Sequence, residues 1–205
     1  MTKRILISLA IIGAVSAIVV GVTTAYFSDT ETSTGNTFSA GTLNLTMNDK
    51  DGENVSFTFS NLKPGSQPKV KYILKNTGSI DGYLDIENVS FESYENTCYE
   101  PEREAGDATC GTGADQGELD DVLNLRMFLD YDGDGWIDTG EPVFFNDKIK
   151  NLPDHFELNE LIPANGDTDF VAEIYDWWNT SMDNQAQSDS VVINMTFELA
   201  QTEGQ

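Results

Sequence analysis

Between Ser190 and Ala200 every second residue is apolar: Val191, Ile193, Met195, Phe197 and Leu199. A period of two is the signature of a strand that buries one face and leaves the other toward water. The same alternation recurs at Leu43, Leu45 and Met47, at Val55, Phe57 and Phe59, and at Val70, Tyr72 and Leu74. It returns at Leu84 and Ile86, and again at Leu123, Leu125, Met127 and Leu129. Turn signals separate these runs, among them Lys63-Pro64-Gly65, Asn76-Thr77-Gly78 and Asp81-Gly82. No long helical pattern competes. The expected fold is all-β, a jelly-roll β-sandwich of two antiparallel sheets with loop insertions, with a closed barrel as the alternative.

Two stretches break the rhythm. Residues 92–118 are acidic, glycine-rich and nearly free of alternation, and are expected to form a loop insertion. Residues 146–169 contain Pro153 and Pro163 and are expected to be irregular, since proline ends helices and central strands. Trp177 and Trp178 follow, read as packing residues, with a ligand or subunit contact as the alternative.

The amino terminus is organised differently. Lys3 and Arg4 precede an apolar run from Ile5 to Val22, and Thr23, Thr24 and Ala25 close it. This pattern predicts a secretory signal peptide over residues 1–25, cut between Ala25 and Tyr26. An uncleaved anchor is the alternative, because the run would just span a bilayer. A type IV pilin fits less well, since its processing site needs glycine or alanine before the apolar segment and here Arg4 meets Ile5. The expected location is therefore extracellular or on the cell surface, with membrane contact only through the signal segment. The rest divides into an arm, residues 26–40, and a domain, residues 41–205.

Eleven basic against 35 acidic residues give a net charge of -24. Such a surface repels nucleic-acid phosphates and anionic lipid, and nucleic acid is excluded as a partner. It suits divalent cations, high salt or plain solubility.

In an oxidising compartment the two cysteines, Cys98 and Cys110, read as one disulfide pinning the insertion, with a stabilisation of at most about 3 kcal/mol. Free thiols or half a metal site are the alternatives, with His155 the single histidine.

Residues 130–141 read Asp-Tyr-Asp-Gly-Asp-Gly-Trp-Ile-Asp-Thr-Gly-Glu. Carboxylates of Asp130, Asp132, Asp134, Asp138 and Glu141 fall where a calcium loop places its ligands, Gly135 stands at the sharp turn, and Trp136 offers its backbone carbonyl. So many carboxylates brought together repel unless a hard cation neutralises them. No helix pattern flanks the loop, so the expected ion is a structural calcium in a strand-to-strand clamp, of the loose affinity, about 10⁻⁴ to 10⁻³ M, found outside cells. Asn44, Asn54, Asn88, Asn179 and Asn194 head Asn-x-Ser/Thr sequons and are glycosylation candidates; Asn44 and Asn194 are expected to point outward.

Certain segments resemble a known family. They are Ala25-Tyr26-Phe27-Ser28-Asp29, the run from Thr37 to Leu45, Asn61-Leu62-Lys63-Pro64-Gly65, the run from Leu74 to Ile80, and the terminal strand Ser190 to Ala200. They are similar to the TasA and camelysin proteins of biofilm matrices, and the insertion and calcium loop are similar to archaeal versions. The resemblance implies a jelly-roll subunit of extracellular biofilm-matrix or pilus-like filaments. It would assemble head-to-tail by donating its N-terminal strand to another copy, with Tyr26, Phe27 and Phe38 as self-assembly residues and a minor anchoring subunit as a further partner. Two aromatics on a polar arm running to Asn36 want a groove, and β-augmentation supplies one; unlike donor and acceptor surfaces then give an open fibre. The family also implies a competing secreted metalloprotease, and a calcium-dependent adhesin using Trp177 and Trp178 is a third alternative. The sequence has no His-Glu-x-x-His, and no nucleophile elbow surrounds a serine. A Ser-His-Asp arrangement around His155 stays open. The expectation from residues alone is a non-enzyme without catalytic residues.

Overall fold

The structure is a computed structural model that describes Lys3 and residues 40–62, 66–109, 113–175 and 184–204. Two compact units divide the chain, Met1–Ala40 and Gly41–Gln205. Apart from Lys3 and Ala40, the signal segment and the arm, with Ala25, Tyr26, Phe27 and Phe38, lie outside the described residues.

The second unit is a sandwich of two antiparallel sheets. Its elements are β1 (Leu45–Met47), β2 (Lys50–Asp51), β3 (Asn54–Ser60), β4 (Lys69–Asn76), β5 (Gly82–Glu95), α1 (Glu100–Ala105), β6 (Gly113–Ala114), α2 (Leu119–Val122), β7 (Asn124–Asp130), β8 (Val143–Lys148), β9 (Phe156–Ile162), β10 (Asp167–Tyr175) and β11 (Ser190–Ala200). One sheet runs β2-β1-β4-β10-β7-β8, the other β3-β11-β5-β6, with β9 also paired to β5. The chain crosses repeatedly from sheet to sheet, as in a jelly roll: β3 returns to β4, β4 to β5, β8 to β9, β9 to β10 and β10 to β11.

The alternation reads directly onto the core. Val191, Ile193, Met195 and Phe197 of β11 are buried, as are Val55, Phe57 and Phe59 of β3 and Leu125, Met127 and Leu129 of β7. Phe170 of β10 meets Phe197 of β11 edge to face at 5.0 Å, so one aromatic pair joins the two sheets.

Several elements differ from expectation. Leu43 precedes β1 and is half-buried, and Thr46 is buried beside Leu45 and Met47. Residues 92–118 are not one loop: β5 continues to Glu95, α1 and β6 follow, and the stretch ends at the residue before α2. Within the stretch read as irregular lies β9, because Pro153 and Pro163 bracket that strand rather than interrupt it. Central strand β10 begins there too. Asp169 and Glu173 disguise it, being charged residues buried on a strand whose residues from Thr168 to Ile174 are all buried. Strand β5 is long enough to change neighbours, pairing β9 through Gly82–Ile86 and β6 through Tyr94–Glu95.

Candidate metal centre

Strand β7 delivers Asp130 at its last residue, and the chain re-enters the sheet as β8 at Val143. Between them the acidic loop folds around its own carboxylates. Asp130, 1% exposed, accepts the backbone N–H of Gly133 on Oδ1 and of Gly135 on Oδ2, each at 2.7 Å. Glu141 closes the other end, accepting Tyr131 N–H on Oε1 and Asp138 N–H on Oε2, each at 2.8 Å. Asp134 accepts Trp136 N–H at 2.7 Å, and Asp132 accepts Asp134 N–H at 3.2 Å. Gly135 has φ +82°, a left-handed backbone that a side chain would strain, which is why glycine stands at the sharp turn.

Two overlapping carboxylate sets result. Asp130, Asp132 and Glu141 each bring an oxygen within 4.8 Å of the others, and so do Asp132, Asp134 and Asp138. All-oxygen sets of this kind suit a hard divalent ion, so the donors present fit calcium.

Two lysines of β4 hold the loop against the sheet. Lys71 Nζ donates to the Gly133 carbonyl at 2.8 Å and pairs with Asp169 at 2.5 Å. Lys69 Nζ donates to the Gly135 carbonyl at 2.6 Å, pairs with Glu173 at 2.8 Å and lies 4.0 Å from the centre of the Trp136 ring. Glu173 also pairs with Arg126 of β7. The hydrogen bond and charge of Asp169, reinforced by Asp130 and Asp134, hold the Lys71 ammonium above its ordinary pKa despite some desolvation. Sequence reasoning missed Lys69, Lys71, Asp169 and Glu173. The signal available was the even spacing of the two basic residues, two apart, and of the two acidic ones, four apart, which puts each pair on one face of a strand.

Other candidates are dispersed. Cys98 precedes α1 and is not a free thiol, while Cys110 lies outside the described residues. Asn44, Asn54 and Asn88 are exposed, Asn194 is half-buried, and Asn179, Trp177 and Trp178 lie outside the described residues. His155 is exposed and its Nδ1 lies 2.8 Å from Asp154, its one hydrogen-bond partner among the described residues. No helix among the described residues is long and apolar enough to cross a membrane.

The family model described as camelysin metallo-endopeptidase matches residues 2–114, more than half of the chain. The chain belongs to the camelysin family. For a camelysin-family chain the expectation of a non-enzyme has to be corrected, because the family's own description is that of a metal-dependent peptidase. The match covers β1 to β6 and ends before the acidic loop. No curated protein matches this camelysin-family chain.

Proposed function

We propose that the chain is exported and, after removal of residues 1–25, forms extracellular filaments in which the arm of one copy completes a sheet of the next. The observation that carries this reading is a gap in the second sheet. Strand β11 runs to Ala200, but its neighbour β3 pairs with it only from Ser190 to Thr196. Beyond that point Phe197 N–H reaches the Glu53 carbonyl at 2.7 Å, and no strand among the described residues pairs with Glu198 to Ala200 on that side. A groove of about 690 Å³ opens there, lined by Leu43, Leu45, Glu53, Thr196, Glu198 and Leu199. β3 itself is an edge, paired with β11 alone among the described residues.

An unfilled strand position beside exposed edge backbone is a template for β-augmentation, and proteins rarely leave one open without a partner for it. The occupant of this reading is the Tyr26 to Asn36 arm of a second copy, whose aromatics would lie along Leu43, Leu45 and Leu199. Calcium in the 130–141 loop would fasten β7, β8 and, through Lys69 and Lys71, β4. A disulfide from Cys98 to Cys110 would pin the insertion, and an anchoring subunit would fix the fibre to the cell. Deleting Tyr26 to Asn36 tests the proposal: the truncated chain should fold and stay monomeric.

A second reading follows from the family, a secreted metallo-endopeptidase whose metal is held by carboxylates. The family description carries it, since the carboxylate sets of the 130–141 loop lie outside the matched residues. Casein cleavage by the purified chain that stops on chelation and returns with added metal would support it; cleavage indifferent to chelation would count against it.

A further inference from the structure

Away from the acidic loop, three carboxylates meet where the insertion joins the sandwich. Glu95 ends β5, Glu118 immediately precedes α2, and Asp189 immediately precedes β11. One oxygen from each lies within 4.8 Å of the others. Glu95 and Asp189 are each 1% exposed. This is not a solvated acidic face.

The two oxygens of each carboxylate are used differently. Glu95 Oε1 accepts Thr97 N–H at 3.1 Å, Glu118 Oε1 accepts the Thr109 hydroxyl at 2.9 Å, and Asp189 Oδ2 accepts Glu118 N–H at 2.7 Å. The remaining oxygens, Glu95 Oε2, Glu118 Oε2 and Asp189 Oδ1, are buried, and among the described residues no hydrogen-bond donor outside the trio reaches them. No lysine or arginine among the described residues pairs with any of the three. Three buried acidic groups with no basic partner and no outside donor for these oxygens are what a low-dielectric interior disfavours.

We propose that Glu95, Glu118 and Asp189 form a second calcium-class site, independent of the 130–141 loop, that fastens the insertion to β5 and β11. Each carboxylate is oriented through one oxygen, leaving the other for the ion. Oxygens bound to one calcium at about 2.3–2.6 Å lie at most about 5 Å apart, and the separations within this trio fall inside that limit. The donors are hard oxygens only, with no nitrogen or sulfur, and the negative charge they carry once ionised favours a divalent over a monovalent cation. Gly117 keeps the approach open, for a Cβ there would come within 2.8 Å of the Tyr94 carbonyl and 3.1 Å of Asp189 Oδ2. The segment bearing Glu118 thus reaches β5 and Asp189 only because position 117 has no side chain.

The test is calcium titration of the full chain by calorimetry, with terbium luminescence as a parallel probe, in a background carrying Asp130→Ala and Glu141→Ala. One calcium-binding event should persist there. Adding Glu95→Gln and Asp189→Asn should weaken it more than about tenfold, because two of the three charged ligands become neutral. The same carboxamides should leave the melting temperature in EDTA unchanged or raised, since they relieve repulsion, while abolishing its rise with calcium. No calcium binding by the loop-silenced parent would overturn the proposal whether or not the carboxamide variants fold. Binding that survives both carboxamides would overturn it as well. The loop has its own failure: Asp130→Ala with Glu141→Ala leaving the wild-type stoichiometry intact.

Discussion

Lys71 Nζ donates to the Gly133 carbonyl at 2.8 Å, so strand β4 holds the acidic loop that connects β7 to β8. The same ammonium pairs with Asp169 of β10, and one cation thereby ties the loop to the middle of a sheet.

Lys71→Ala should therefore do more than remove a surface charge. It strands the Asp169 carboxylate, 7% exposed, and frees Gly133. A charged hydrogen bond lost at a partly buried site costs about 1.5–3 kcal/mol. Urea unfolding should show a lower midpoint with an unchanged slope, and calcium affinity should fall with it.

Phe197→Ala removes the ring that meets Phe170 across the sandwich. Phe197 is fully buried, and truncation of such a ring costs about 3–5 kcal/mol. Equilibrium denaturation should register that loss, whereas Glu198→Ala next to it, exposed at the surface, should stay within about 0.5 kcal/mol.

These contrasts show what was legible in the sequence. Val191, Ile193, Met195 and Phe197 declared both their strand and its inward face, since alternation records burial on one side only. Strand β10 did not, because Asp169 and Glu173 occupy buried positions that only lysine and arginine partners on neighbouring strands make tolerable. Those partners are distant in sequence. In the loop, the order of carboxylates and the turn at Gly135 were local and visible, while the lysine contacts from β4 were not. The trio of Glu95, Glu118 and Asp189 is further removed still, assembled from three segments that only the fold brings together.

Asp130→Ala and Glu141→Ala should each lower the melting temperature more in calcium than in EDTA, where only the backbone hydrogen bonds to these carboxylates are lost. Asp130 organises Gly133 and Gly135, and Glu141 organises Tyr131 and Asp138, so both truncations unmake the ligand frame. Differential scanning calorimetry with and without calcium reads the difference.

His155 should titrate above its ordinary 6.5, through its hydrogen bond to Asp154 and that residue's charge. A raised folded value means the protonated ring favours the fold: the contribution is complete below the unfolded pKa and vanishes as pH rises through the folded one. The pair is exposed, so the effect on stability is small. Imidazole proton shifts followed by NMR should give the raised value in the native chain and a return toward 6.5 in Asp154→Asn.

Self-assembly through the arm is the central proposal, and negative-stain electron microscopy of the processed chain, beside the same chain lacking Tyr26 to Asn36, tests it most directly. Filaments from the intact arm and none from the folded truncation are the predicted result. Filaments of the same form from the truncated chain would contradict it.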